Sequence, residues 1–339
     1  MAIGRTNAVS GGGGGVGAVL TVTAPAGVTV SISKDGKTQI KTANADGLAV
    51  FTGLATGTWT LTITDGKQTS TKQVVITADY GVVISFSVIP EFTYDGDFEI
   101  VNDADEPISA SQDNWKIRFL TSGTLKFTQL NSAENGIDVF CVGGGGAGDG
   151  RSGTANGGGG GGYTATAKGV VVDTDTEYSI VIGAGAPESS SALGGDGGKT
   201  SGFTIEANGG KGGAGGKGGA GGSGGGKYSG ENNSGNGGSD GSNGFGENNS
   251  ANGGGIGQRT TTREFEESTG TLYAGGGGGG VNNKTPGAGG AGGGGNGGAG
   301  STKGTSAAEN TGGGGGGGGG KSAGGGAGGS GIVIIRNKR

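Results

Sequence analysis

Gly312-Gly-Gly-Gly-Gly-Gly-Gly-Gly-Gly320, nine consecutive glycines, is the stretch whose reading decides the fold. A run with no side chain leaves two options. Either it is a mobile spacer, or its backbone packs in an order that only glycine permits. The run is the extreme of a wider bias, since 78 of the 95 glycines lie from Gly143 onward. Gly275–Gly280 is a second pure run, and from Gly209 to Gly225 the text is strictly Gly-Gly-X, with X being Lys211, Ala214, Lys217, Ala220 and Ser223. A polyproline-II-type helix has three residues per turn and no internal hydrogen bonds, so its N–H and C=O groups point sideways. On it every X falls on one ridge, and the two bare ridges let neighbouring backbones approach closely. Gly312–Gly320 has no X and suits a helix surrounded on all sides. With only five prolines and no sustained Gly-X-Y pattern, collagen is excluded.

The text beyond the last run supports order. Gly331-Ile-Val-Ile-Ile-Arg336 reads as an apolar strand, which needs a partner for its backbone and cover for its side chains. Ile137–Val142, an apolar strand running straight into Gly143, is the expected partner, and it would close residues 143–339 into one unit. Within it, Tyr163–Val172, Tyr178–Ile182 and Phe203–Glu206 read as strands.

Upstream the chain is all-β in pattern. Residues 1–17 read as a short tag with a five-glycine linker. Residues 18–88 read as a small sandwich, with alternating or β-branched runs at Leu20, Val28, Leu48, Trp59, Val74 and Val82 and hairpin turns at Asp35-Gly36 and Asp65-Gly66. Trp59 alternates with Leu61 and Ile63 and should face the core. Residues 89–142 read as a further β segment, with turns at Asp95-Gly96 and Thr121–Thr124. The expected architecture is therefore a small N-terminal β-sandwich, a β segment, and a polyglycine-II helix bundle with excursion loops.

Composition limits the function. Histidine is absent, which removes histidine triads, general bases and metal ligands. One cysteine, Cys141, allows no internal disulfide and reads as a core residue. A net charge of −5 without a basic cluster argues against nucleic acid. No apolar run approaches the length of a membrane span, so no insertion is expected.

Asp46-Gly-Leu-Ala-Val-Phe-Thr-Gly-Leu54 followed by Gly57-Thr-Trp59 resembles a pattern of prealbumin-like and immunoglobulin-like accessory modules, as found in surface adhesins. A second resemblance rests on an ordered series: Phe140-Cys-Val-Gly-Gly-Gly-Gly, Gly157–Gly162 with Tyr163-Thr, Ile180-Val-Ile-Gly-Ala-Gly-Ala, Ala207-Asn-Gly-Gly, and Gly331-Ile-Val-Ile-Ile-Arg. This series is similar to a glycine-rich domain common in tail fibres and receptor-binding proteins of tailed phages, over residues 92–339. The resemblance implies a non-enzymatic virion adhesin, assembled in the host cytoplasm and displayed on the particle. It would be a homo-oligomer, with a trimer favoured. Its N-terminal part would contact other virion proteins and its loops a bacterial surface carbohydrate or protein. The alternative is a capsid or tail decoration protein with no receptor role. No cofactor and no metal are expected.

The candidate contact residues lie where the chain leaves the glycine runs. The excursion 227–252 carries Tyr228, Asn232, Asn233, Phe245, Asn248 and Asn249, with Glu-Asn-Asn-Ser twice. A second, Gln258–Tyr273, carries Arg259, Arg263, Phe265 and Tyr273; Val281–Pro286 and Ser301–Thr311 are shorter. Stacking aromatics beside hydrogen-bonding side chains suit a sugar or a protein surface; equally, they could pin the loops. Three other patterns carry little. Gly315–Ser322 fits G-x-x-x-x-G-K-S but lacks the flanking strand and helix that motif needs. Asp95, Asp97, Asp103 and Asp105 fit no calcium-loop spacing. Glu264 with Glu266 or Glu267 is a weak imitation of a glycosidase pair.

Overall fold

A computed structural model describes residues 17–24, 26–64, 69–77, 82–85, 89–108, 114–130, 136–152, 156–190, 192–227, 262–282, 285–321 and 324–337. The chain is all-β, with one 3-10 turn and no α-helix among these residues. Accordingly, no described helix is long and apolar enough to cross a membrane. The Asp65-Gly66 turn lies outside the described residues.

The first unit has strands β1 (Ala18–Thr23), β2 (Thr29–Lys34), β3 (Lys37–Thr42), β4 (Leu48–Leu54), β5 (Gly57–Thr64), β6 (Thr69–Ile76) and β7 (Val82–Ser85). They form two sheets, ordered β4-β1-β7 and β3-β2-β5-β6. All pairs are antiparallel except β1 with β7. Strand alternation turns one face of each sheet inward, so Leu20, Val22, Val30, Ile32, Phe51, Trp59, Leu61 and Ile63 share a core. The Trp59 indole N–H, which must find an acceptor when buried, donates to the Ala55 carbonyl at 2.8 Å. Asp35 and Gly36, both with positive φ, make the tight turn between β2 and β3. β3 has no apolar face in its sequence; its pairing to β2 alone makes it a strand.

The second unit has β8 (Glu91–Tyr94), β9 (Phe98–Val101), β10 (Lys116–Phe119), β11 (Gly123–Gln129), β12 (Gly136–Val142), β13 (Thr164–Val171), β14 (Glu177–Val181), β15 (Thr200–Gly202), β16 (Ile205–Ala207) and β17 (Ile332–Asn337). Two five-stranded sheets result, β13-β12-β17-β10-β9 and β16-β15-β14-β11-β8. The turns at Asp95-Gly96 and Thr121–Thr124 each pass the chain from one sheet to the other. They are tied together: the Thr124 N–H donates to Asp95 Oδ1 and the Asp97 N–H to Thr121 Oγ1. The strands of 89–142 thus lead into the glycine-rich part by sharing both sheets with strands from beyond Gly143. Trp115, Ile117, Phe119, Leu125, Phe127, Val139, Cys141, Val333 and Ile335 form one shared core.

β12 pairs β17 from Ile137↔Asn337 to Val142↔Ile332, the partnership expected from the sequence. Both strands are covered on both faces, which is why they read as continuous apolar runs. One face meets the shared core. The other, with Phe140, Val142, Ile332 and Ile334, meets Phe265, Tyr273 and Ala274.

From Val142 the chain enters an array of glycine-rich rods. Their hydrogen bonds repeat every third residue. In the run 143–150, the N–H groups of Gly143, Gly146 and Asp149 donate to Tyr163, Gly160 and Gly157; those of Gly144, Ala147 and Gly150 to Gly198, Gly195 and Ala192; those of Gly145 and Gly148 to Gly329 and Gly326. One rod thus donates to three neighbours in rotation. The run 312–320 does the same and is also an acceptor on three further sides. Gly314, Gly317 and Gly320 donate to Gly275, Gly278 and Val281; Gly315 and Gly318 to Gly146 and Asp149; Gly316 and Gly319 to Thr305 and Thr302. Its carbonyls accept from 159–162, 295–298 and 326–329. It is buried throughout, surrounded by six neighbours as its composition predicts. A Cβ at Gly316 would lie 1.9 Å from the Asn296 carbonyl oxygen, and one at Gly145 would lie 1.8 Å from that of Gly313. Only a hydrogen fits there.

Two expectations are corrected. The Gly-Gly-X text 209–225 is not one straight helix. It reverses at Gly215-Gly216, both with positive φ, where Ala214 and Lys217 exchange backbone hydrogen bonds at 3.0 Å. Without a side chain to resist it, the same composition serves rod and turn. Second, Ser301–Thr311 is largely not an excursion. Thr302, Thr305, Ala307 and Ala308 are hydrogen-bonded to neighbouring rods, making an outer rod. Such a rod needs a small residue only on its inner ridge, here the buried Gly304 and half-buried Ala307.

Candidate functional site

Register in the array defines two ends. The run 314–320 is parallel to 275–281 and to 146–149. Val142, Ala274, Thr311 and Gly331 therefore meet at the sheet end. At the far end lie the connections Asp149–Asn156, Ala214–Lys217, Val281 onward, Ala299–Lys303 and Gly320-Lys321, together with Lys227, whose carbonyl faces Gly279. The excursion beginning at residue 228 leaves from this far end and returns at Thr262, beside the sheets.

The far end is held by side chains where rods must stop. Buried Asp149 takes both Nε and Nη2 of Arg151, at 3.1 and 2.9 Å, and accepts the Gly215 N–H at 2.7 Å. Asn156 Nδ2 donates to the carbonyls of Arg151 and Gly318, both at 2.9 Å. Lys303 pairs with Glu188 at 3.0 Å. Lys217 and Lys321 are exposed and Lys227 half-buried, and these three have no ion pair with a described carboxylate. The described surface here is cationic, on a chain whose net charge is −5.

The return of the excursion is a buried foot. Arg263, Phe265 and Tyr273 were expected to face a receptor; the structure places the two aromatics otherwise, while Arg263 stays half-exposed. Phe265 and Tyr273 are fully buried. Their rings pack on Phe140 at 5.9 and 5.6 Å, because the outer face of β12 and β17 must be covered. Arg263 Nη1 donates to the Gly270 carbonyl at 2.6 Å and closes its own loop. Tyr228, Asn232, Asn233, Phe245, Asn248, Asn249 and Arg259 lie outside the described residues. The aromatics of 262–273 thus pin the segment.

Charges complete the foot. Lys116 Nζ contacts Asp105 Oδ1 and lies 2.7 Å from Glu264 Oε2; the Tyr273 hydroxyl donates to Glu264 Oε1 at 2.9 Å. Arg336 Nε meets Asp138 at 3.2 Å and Nη1 meets Glu267 at 2.6 Å, with the guanidinium 4.0 Å above the Phe265 ring centre. Burial, then the Glu264 charge, push the Tyr273 hydroxyl well above its ordinary pKa. Burial alone would raise the Asp105 carboxyl, but hydrogen bonds from Lys116 and Thr271 outweigh it and hold the group below its usual value. Glu264 and Glu267 each face a cation, which is not the paired-acid arrangement a glycosidase uses. Asp95 and Asp105 likewise spend their oxygens on protein groups. The amides of Gly315–Gly319 donate to neighbouring rods and leave no phosphate cradle. Burial pushes the Cys141 thiol up to about 12, so it is no nucleophile at neutral pH.

A groove of about 510 Å³ lies at the sheet end, lined by Asp97, Leu120, Ser122, Ile182, Glu309 and Asn310 among others. Its carboxylates and amide over an aliphatic floor could accept the hydroxyls of a neutral sugar. Neither the groove nor the cationic far end is visible as a motif, since each joins residues distant in sequence. For the far end, lysines at rod termini are the signal available.

No curated protein matches the chain. A family model described as a glycine-rich domain matches residues 120–338, from the last residue of the β10 corner to the strand that closes the array. By that match, which takes in well over half of its length, the chain belongs to the glycine-rich domain family.

Proposed function

We propose that the rods are polyglycine-II-type helices and that the chain is a phage virion adhesin, presenting loops at the far end of the array to a bacterial surface. The observation that carries this reading is the make-up of the far end. An array with one end fused to the β8–β17 sheets, and the other end carrying connections and lysines that pair with no described carboxylate, is a scaffold for recognition. The three-residue hydrogen-bond period supports the helix type. The lysines favour an anionic surface polymer, a polysaccharide bearing phosphate or carboxylate groups. The β1–β7 unit would dock onto the particle.

The test uses labelled full-length protein on a panel of bacterial cells. Deleting 229–252 should abolish adsorption to the responsive strain and leave the thermal melt unchanged. Undiminished adsorption sinks the reading. Counting copies per particle separates an adhesin, present in a few copies, from a decoration protein, present in hundreds.

A further inference from the structure

The foot holds a buried amine between two carboxylates. The Lys116 side chain, on β10, is 4% exposed and that of Glu264 is 6% exposed. Asp105, in the turn after β9, contacts Lys116 Nζ with Oδ1 and accepts a hydrogen bond from Thr271 Oγ1 on Oδ2 at 2.7 Å. Phe140, Phe265 and Tyr273 wall the site on the Glu264 side. The turn after β9, the neighbouring strand β10 and the distant foot thus bring an acyl group, a nucleophile and a proton carrier together.

An ammonium facing a carboxylate ordinarily stops at an ion pair. Burial opposes that state, because desolvation disfavours both charged forms. Passing a proton from Lys116 to Glu264 leaves a neutral amine beside a neutral acid. Those are the partners that acid–base-assisted acyl substitution requires.

We propose that Lys116 and Asp105 condense to an intramolecular amide, with Glu264 carrying the proton. Glu264 takes one proton from the Lys116 ammonium. The freed lone pair attacks Asp105 Cγ while Thr271 Oγ1 hydrogen-bonds the developing negative charge on Oδ2. The Nζ–Cγ bond forms and the Cγ–Oδ1 bond breaks. Oδ1 leaves as water, taking the proton from Glu264 and one more from the nitrogen. Ammonium plus carboxylate becomes amide plus water, Glu264 ends as it began, and nothing is oxidised or reduced. The Asp105 side chain is 28% exposed, so the water has an exit. The bond would fasten the turn after β9 to β10, where the foot of the excursion also sits. This inference is independent of the proposed receptor role.

The test is the intact mass of the full chain under denaturing conditions. Wild-type protein should be lighter than its sequence mass by one water. Trypsin should spare the Lys116 site and yield a branched peptide joining the segments of Asp105 and Lys116. An Asp-Gly succinimide also loses water, but it gives no branch and survives in Lys116→Arg. The variants Lys116→Arg and Glu264→Gln should each show the full mass of their own sequence. A wild-type mass equal to the sequence mass overturns the proposal, whether or not the variants fold. A branched peptide that forms equally in Glu264→Gln overturns the role given to Glu264.

Discussion

In the β1–β7 sandwich, Phe51 is fully buried among Leu20, Leu61 and other side chains of two sheets. In the rod array Gly316 is equally buried, but what surrounds it is main chain: the Asn296 carbonyl, the Thr305 carbonyl and the backbone of 326. The first region is held by apolar area removed from water, the second by hydrogen bonds between backbones that lie within van der Waals contact. Side-chain cores tolerate volume changes by repacking rotamers. The array has no rotamers to repack, so its tolerance should be far smaller inside and ordinary at its rim.

The largest effect should come from putting a methyl group where the array is closed on all sides. Gly316→Ala places a Cβ 1.9 Å from a backbone oxygen that cannot swing away. The expected cost is about 3 kcal/mol or more, at the top of the usual range for overpacking. The mirror change, Phe51→Ala, should cost about 3 kcal/mol through a cavity, confined to the first unit. Gly195→Ala, whose nearest neighbour would be the Ala186 Cβ at 3.7 Å, should be nearly neutral. Denaturant unfolding gives the energies, and amide exchange in 312–320 locates the damage. Equal behaviour of Gly316→Ala and Gly195→Ala would end the distinction between interior and rim.

A smaller effect tests the seam between side-chain and backbone packing. Tyr273→Phe keeps the ring on Phe140 but removes the hydroxyl that donates to buried Glu264. The loss should be about 1.5 kcal/mol, as for a hydrogen bond to a charged group. Faster amide exchange should appear in 262–274 and not in 314–320. Spread into the central rod would mean that the foot, and not the rods themselves, holds the array together.

Much of this contrast is legible in residue types. Trp59, Leu61 and Ile63 alternate and face the core; Ile137–Val142 and Ile332–Arg336 read as apolar strands seeking partners, and they pair. Nine glycines without a side chain suit a spacer or the middle of an ordered array, and they sit in the middle. What escapes the reading has a common physical cause. Glycine carries no directional information, so Gly215-Gly216 as a turn and Gly218-Gly219 as rod look alike. β3 escapes because Lys37–Thr42 has no apolar face. Phe265 and Tyr273 escape because a scarce aromatic in a polar loop is equally a contact residue or a plug. Here Phe140, Val142, Ile332 and Ile334 needed covering, and knowing the pairing of β12 with β17 would have required an aromatic plug from elsewhere in the chain. Lys116, Asp105 and Glu264 lie up to 159 residues apart and meet only once both sheets are built.

The smallest effect concerns the rim, where charges do appear. Asp196 is exposed and accepts from Lys211 Nζ at 2.7 Å and from the Gly212 N–H at 3.0 Å. Burial would raise its carboxyl, but these two donors prevail and hold it below the ordinary value. A depressed folded-state pKa means stability that is present above the unfolded value, near 4, and lost as pH falls through the folded value. Because the pair is solvated and screened, the change in melting temperature should be about 1 °C, and Asp196→Asn should remove it. Backbone amides do not titrate in this range, so the rods themselves should keep their exchange protection, corrected for intrinsic rates, while Asp196 takes up its proton. If protection in 144–148 and 194–197 were to collapse together with that protonation, the rods would be tied at their rims by charge, and the contrast between a backbone-held interior and an ordinary surface would fail.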